Sequence, residues 1–207
     1  MKIHNCQQGT EEWLACRLGK LTASVAQTIA TAGKGLETLC LEKTAEILTG
    51  KIEETFKSDA MIRGNELEAE ARAIYELETG KTVNQIGFYE DNEFVGVSPD
   101  GLVGEDGLVE IKCFGAKHYT EYLLNGKIDP KYYAQMQMQM LVTNRQWCDY
   151  VVYNPDFKNC IQIKRVLPDF EVMDKISNGL IIGCEMIKRN LEKLNDDAKR
   201  RSIDVAE

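Results

Sequence analysis

The spacing of apolar positions changes period several times along the chain, and each change marks an element. Thr10-Glu11-Glu12-Trp13 reads as a cap followed by acidic first-turn residues, opening a short helix that closes near Gly19. The hydroxyls of Thr22-Ala23-Ser24 are suited to cap a second helix, and helical composition resumes over residues 36–48, beyond Gly33-Lys34-Gly35. Within residues 61–78, Leu67, Ala71, Ile74 and Tyr75 recur at helical spacing amid charges, which predicts an amphipathic helix stopping at Gly80.

The period then shortens to two. Residues 82–89, 94–97 and 108–113 read as strands, with turn chemistry at Gly104-Glu105-Asp106-Gly107. The expected arrangement is an antiparallel hairpin pairing residues 94–100 with 108–113. Residues 132–142 fit either period, because Met136, Met138 and Met140 alternate while Tyr133, Met136 and Met140 share a helical face. Gln and unbranched Met favour the helix. Two further strands follow at 147–153 and 160–166, joined by a turn at Asn154-Pro155-Asp156. The stripe Met173, Ile176, Leu180, Cys184, Ile187, Leu191 and Leu194 then predicts a long helix packed on the sheet, ending in a charged tail at 195–207 that frays.

With 207 residues and 43% hydrophobic content, the chain reads as one domain spanning residues 1–207. A domain of this size buries roughly 70% of its unfolded surface and needs no disulfide or structural metal. No apolar run approaches the ~20 residues that span a bilayer, and Met1-Lys2-Ile3-His4-Asn5 does not open a signal peptide, so no membrane role and a cytoplasmic location are expected. The seven cysteines form no Cys-x-x-Cys pair, which disfavours zinc ribbons and clustered iron–sulfur ligation and fits reduced, mostly buried thiols. The net charge of −8 argues against a chain that binds nucleic acid over its whole surface, and requires any basic groups that do so to be gathered on one face.

The chemistry concentrates in Ser98-Pro99-Asp100 and Glu110-Ile111-Lys112. On a strand, residues two apart share a face, so Glu110 and Lys112 project together, outward, while Val109, Ile111 and Cys113 face the core. A hairpin partner ending at Asp100 brings a second carboxylate toward Glu110. Two such charges about 4 Å apart repel by roughly 4 kcal/mol at an effective dielectric of 20, which a divalent cation relieves. Hard oxygen ligands select Mg²⁺ or Mn²⁺, with the Ile111 carbonyl as a further donor and Lys112 beside the attacking water or the developing charge. The blander alternative is that Asp100 caps a turn and Glu110 and Lys112 form a solvated surface pair, of a kind that contributes about 0–1 kcal/mol.

The string from Ser98-Pro99-Asp100-Gly101-Leu102 to Leu108-Val109-Glu110-Ile111-Lys112-Cys113 resembles the core motif of PD-(D/E)xK nucleases. Trp13, Arg17-Leu18-Gly19, Thr22-Ala23-Ser24, the segment Gly64 to Arg72 and Ala134-Gln135-Met136-Gln137 stand in the order seen in the phage lambda exonuclease and YqaJ-type viral recombinase family, a resemblance covering roughly residues 7–157. It implies a restriction-endonuclease-like α/β (α+β) fold with a central mixed β-sheet flanked by helices. It implies also a Mg²⁺-dependent, processive exonuclease that degrades one strand of linear duplex DNA from its 5′ end and leaves a 3′ overhang for recombination.

By the same resemblance Glu68 is a further active-site and metal-binding carboxylate, although a helical wheel places Glu70 nearer the apolar stripe. Arg17 and Ser24 match a pocket for the terminal 5′-phosphate; an Arg fork and a hydroxyl at a helix start suit an anion. Ser98 is a candidate for the phosphate backbone and Trp13 for stacking on a DNA end, against ordinary turn and packing roles. Gln135 and Tyr132 match helix residues behind the active site, where an amide orients Lys112 or a metal-bound water; Gln137 and Gln139 read equally well as polar helix surface. The family further implies a toroidal homotrimer, a single-strand annealing protein as partner, and a phage or prophage gene product working in a bacterial host. The competing readings are a restriction-like or structure-specific endonuclease and a noncatalytic DNA-binding or assembly protein. Serine or cysteine hydrolase chemistry is disfavoured, since only His4 and His118 exist and neither adjoins a nucleophile motif.

Overall fold

The chain crosses between two mixed β-sheets within a single stretch that its sequence reads as one strand. The structure, a computed structural model, describes residues 2–52 and 59–204. In order it forms β1 (Lys2–His4), α1 (Glu11–Arg17), β2 (Leu21–Thr22), a 3-10 turn at Ala23–Val25, α2 (Ala26–Thr31), α3 (Lys34–Thr49), α4 (Asp59–Thr79), β3 (Val83–Asn84), β4 (Phe88–Asn92), β5 (Val95–Val97), β6 (Gly101–Val103), β7 (Gly107–Cys113), α5 (Ala116–Asn125), α6 (Pro130–Thr143), β8 (Trp147–Tyr153), β9 (Ile161–Val166) and α7 (Phe170–Asp204). The smaller sheet runs β1-β4-β5-β2 and the larger β3-β6-β7-β8-β9.

The larger sheet is the scaffold of the site. Its central strands β7 and β8 are parallel, and α5 and α6 form the crossover between them, while β6–β7 and β8–β9 pair antiparallel. Both faces of β7 are covered. Leu108 packs with Met136, Met140 and Tyr150 on the α6 side, and Val109 and Ile111 pack with Ala71 and Tyr75 of α4 on the other. A strand covered on both faces has no solvated side, so Glu110 is buried at 0% exposure rather than turned outward as the alternation predicts.

The expected hairpin also differs in its first strand. Residues 95–97 belong to the smaller sheet, paired with β4 and β2, and it is β6 that pairs with β7, with Gly101 opposite Val109. Pro99 separates the two strands; it has no amide hydrogen to donate to a ladder, so the chain leaves one sheet before it and joins the other after it. The predicted turn at 104–107 does close this hairpin, with Gly104 in the left-handed region at φ 56°.

The stretch 82–89 splits between β3 and β4 for a related reason. Gln8 Nε2 donates to the Ile86 carbonyl at 3.0 Å, and the Gly87 amide donates to the His4 carbonyl at 3.1 Å. Gly87 lies so close to Cys6 that a Cβ there would collide with its backbone. Residues 86–87 are thus held by the N-terminal segment, and pairing changes partner across them.

The amphipathic helix α4 and the helix α6 form as predicted, the latter opened by Asp129, whose side chain accepts from the Lys131 amide at 2.9 Å. Thr10 caps α1 by accepting from the Trp13 amide at 3.3 Å. Thr22 and Ser24 do not cap α2; their hydroxyls turn instead toward Arg17. The long helix α7 packs chiefly on α2 and α3 rather than on the large sheet. Gly179 brings it against the Ile29 backbone, and Ile176 and Ile187 are fully buried in the cluster that also holds Leu21, Leu36 and Val97. The tail expected to fray from residue 195 continues as helix to Asp204, and 205–207 lie outside the described residues. All seven cysteines are free thiols. Among the described residues no helix is long and apolar enough to cross a membrane.

Candidate active site

Glu110 is the centre of the site, and its neighbours come from its own strand and from α6. Lys112 Nζ donates to Glu110 Oε1 at 2.6 Å and Gln135 Nε2 donates to the same oxygen at 2.7 Å, while Gln139 Nε2 donates to Oε2 at 2.7 Å. Gln135 and Gln139 are one helical turn apart, so both reach the carboxylate from one face of α6. A buried carboxyl group costs stability unless its oxygens are hydrogen-bonded, and these three donors meet that requirement.

Asp100 enters from the start of β6. Its Oδ2 accepts the Ile111 amide hydrogen at 2.6 Å, which fixes the carboxylate beside Glu110 across the hairpin. Burial raises the Asp100 pKa well above its ordinary value, and Glu110 and Glu68 raise it further against the opposing Lys112 and Ile111. Burial alone would lower the pKa of Lys112, but the Glu110 and Asp100 carboxylates outweigh it and hold the ammonium charged. Tyr132 contributes its ring face, with Lys112 Nζ 4.8 Å and Lys131 Nζ 4.6 Å from the centroid.

Glu68, chosen by motif, lines the same open cavity of about 1780 Å³ as Asp100, Ile111, Lys112 and Tyr132. Arg72 holds it at 3.1 Å from the next turn of α4, and burial, with Glu110 in support, raises its pKa despite that partner. Glu70 instead accepts from the hydroxyl of Tyr153, the last residue of β8, at 2.8 Å. Periodicity favoured Glu70, which does reach a strand residue, whereas Glu68 and not Glu70 lines the cavity.

A second cluster lies just up the chain from Asp100. Arg17 donates to the hydroxyls of Thr22 at 3.2 Å and Ser24 at 3.4 Å, and its guanidinium sits 4.3 Å from the Trp13 ring. Trp13 Nε1 in turn donates to Ser98 Oγ at 2.9 Å and to the Gly87 carbonyl at 3.1 Å. All four residues named from the sequence are therefore brought together, with Trp13 joining Arg17 through its ring face and Ser98 through its indole hydrogen bond. Among the described residues no carboxylate lies within ion-pair distance of Arg17, and burial lowers its pKa to about 10 against the opposing field of Glu46. A partly buried guanidinium with hydroxyl neighbours and no anion is suited to bind one.

Sequence reasoning missed Gln139 and Gln8. Gln139 is fully buried, not surface, and Gln8 donates to the Pro99 carbonyl at 3.0 Å beside Asp100. Gln137 is buried as well, but it serves the fold: its amide bridges the Asp169 amide and the Leu167 carbonyl. A run of Gln between buried Met residues was the available signal, since a polar side chain inside an apolar face requires a partner.

The donor set fits a divalent cation. Glu110 carries roughly four acceptor positions and three are used, leaving one at Oε2. Asp100 Oδ1 has no protein donor among the described residues. No group of three or more Asp, Glu, His or Cys side chains is arranged for a metal among the described residues, so an ion here takes backbone oxygen and water besides side chains, as Mg²⁺ commonly does.

An acid leading β6, and Glu and Lys two apart on the neighbouring β7 of a mixed sheet, have the layout of a PD-(D/E)xK nuclease core. The chain belongs to the family of the YqaJ-like viral recombinase domain, whose model matches residues 12–146. It is a homologue of an alkaline exonuclease from Laribacter hongkongensis, with 36% identity and a TM-score of 0.84, covering 92% of this chain and 99% of that one. That enzyme has also been solved in complex with dAMP, and this structure matches equally well. A phage-related exonuclease from Haemophilus somnus 129PT shares the fold at 18% identity, with a TM-score of 0.61 over 84% of this chain and 96% of that one. No curated protein matches the sequence.

Proposed function

We propose that this chain is a Mg²⁺-dependent exonuclease that digests one strand of linear duplex DNA processively from its 5′ end, leaving a 3′ single strand for recombination by annealing. The observation that carries the reading is the Lys112–Glu110–Gln135 network with Asp100 anchored beside it, where Asp100 and Lys112 line a cavity of about 1780 Å³. Similarity to an exonuclease solved with a nucleotide supports it.

In this reading Asp100, Glu110 and the Ile111 carbonyl hold the ion, with Glu68 as a further carboxylate at its edge. Bound Mg²⁺, or Mn²⁺ in its place, supplies an acidified water and charge neutralisation at the scissile phosphate. Lys112 places its ammonium where negative charge develops on the phosphorus oxygens, while Gln135 holds Glu110 in position and the Tyr132 ring supports Lys112. Arg17, Thr22 and Ser24 bind the terminal 5′-phosphate, with Ser98 and Trp13 along the path from that end to Asp100. Gripping the end favours terminal over internal bonds, and this separates the exonuclease from a restriction-like endonuclease on the same fold.

The family resemblance extends the proposal to one domain over residues 1–207, a toroidal homotrimer, an annealing protein as partner and a phage-derived product acting in the bacterial cytoplasm. A ring also accommodates the net charge of −8, by gathering basic groups inside an acidic exterior. The test is digestion of end-labelled linear duplex with and without Mg²⁺, comparing 5′-phosphate with 5′-hydroxyl ends and with covalently closed circles. Metal-dependent loss from the 5′-phosphorylated end and intact circles are expected. Rapid linearisation of circles would establish the endonuclease instead.

A further inference from the structure

Gln139 makes one side-chain hydrogen bond, from Nε2 to Glu110 Oε2 at 2.7 Å, and its own Oε1 is buried without a partner among the described residues. The amide cannot turn over to relieve this, because the reversed group would set its oxygen against the carboxylate. A buried polar atom without a partner costs stability. Met136, Met138 and Met140 alongside it on α6 are all buried. An apolar side chain at 139 would fill the same kind of site without that cost. The residue is therefore held in an unfavourable setting by what its nitrogen does for Glu110.

That role is geometric. Lys112 and Gln135 both bond to Oε1, so by themselves they leave the carboxylate able to rotate about its bond to the chain. A donor on Oε2 fixes the second oxygen and with it the carboxylate plane. It also occupies one acceptor position of Oε2 and leaves the other as the place where Glu110 can meet a cation. We infer that Gln139 is a positioning residue for the metal centre, orienting Glu110 so that one oxygen stays aimed at the divalent ion. The inference rests on the metal-binding reading of Asp100 and Glu110 proposed above.

The measurement is direct Mn²⁺ binding to the full chain, by titration calorimetry or by the electron paramagnetic resonance of free Mn²⁺, without DNA or turnover. Gln139→Met, which keeps volume and removes both amide atoms, weakens Mn²⁺ binding by about tenfold, the lower end of what loss of a group orienting a metal ligand produces. Near-ultraviolet circular dichroism keeps its wild-type shape, while the melting temperature without metal falls modestly, because the buried Glu110 Oε2 loses its donor although the unbonded Gln139 oxygen is removed as well. Activity recovers as Mg²⁺ is raised, so the defect falls on metal concentration more than on kcat. Gln139→Leu repeats the measurement should the Met variant fold poorly. Mn²⁺ binding within twofold of wild type in a folded variant overturns the inference while leaving the metal reading intact. A wild-type chain that binds no Mn²⁺, or binds it equally well after Asp100→Asn, overturns the metal reading and the role of Gln139 with it.

Discussion

Asp100 takes the amide hydrogen of Ile111 at 2.6 Å, in the place where a neighbouring strand would otherwise accept it. The β6–β7 ladder stops at Gly101 and Val109, and the side chain of Asp100 continues it by one bond. The acid is thus locked to the strand that carries Glu110 and Lys112.

Asp100→Asn is expected to eliminate metal binding and cleavage while sparing the fold. The Asn oxygen still accepts from Ile111, and the variant loses a buried charge repelled by Glu110 and Glu68. Its melting temperature without metal should equal or exceed wild type, whereas Mg²⁺ should no longer raise it. A thermal scan with and without Mg²⁺ checks both, and a variant that unfolds early contradicts the account.

Lys112→Ala should lower kcat by at least 10²–10³-fold, the scale for removing one group that stabilises developing charge. Binding of DNA, measured by anisotropy in Ca²⁺ to block turnover, should change little. An undiminished Mg²⁺-stimulated rate would remove Lys112 from the mechanism.

Arg17→Ala should slow digestion of 5′-phosphorylated ends and leave 5′-hydroxyl ends at their already lower rate. Arg17→Lys should restore only part of the preference, because an ammonium lacks the two-pronged fork that meets phosphate. Equal losses on both ends would point to a general role for Arg17 in packing against Trp13, 4.3 Å away.

Away from the site, Asp149 ties α4, β8 and β9 together. It accepts from Tyr75 at 2.8 Å, Lys81 at 3.2 Å and Arg165 at 2.8 and 2.9 Å. Burial alone would raise its pKa, but the hydrogen bonds from Arg165, Tyr75 and Lys81 outweigh it and leave it below the ordinary value. A carboxylate depressed in the folded state contributes stability that is fully present above its unfolded pKa of about 4 and is lost as pH falls through the lower folded value. Asp149→Asn should cost about 1–3 kcal/mol at neutral pH, and should flatten the acid limb of the stability curve measured by urea denaturation below pH 4. An unchanged curve would deny the cluster that part.

Local rules read much of this molecule from its sequence alone. The helical period of residues 61–78, the cap at Thr10 and the paired strands after residue 147 depend on neighbours within a few positions, and they appear as read. That Asp100, Glu110 and Lys112 stand side by side was legible from their spacing on adjoining strands, and the structure places them so. What the sequence could not decide was which strands meet. Residues 95–97 and 101–103 are both short and apolar, and only the position of Pro99 between two sheets sends one to each. Nor could it decide that Glu110 is buried, because alternation distinguishes two faces of a strand without saying whether both are covered. Whether Gln139 was surface stayed open for the same reason: its partner lies 29 positions away and on another element. Periodicity reports contacts along the chain, whereas burial and hydrogen-bond partners are properties of surfaces that exist only after distant segments have packed.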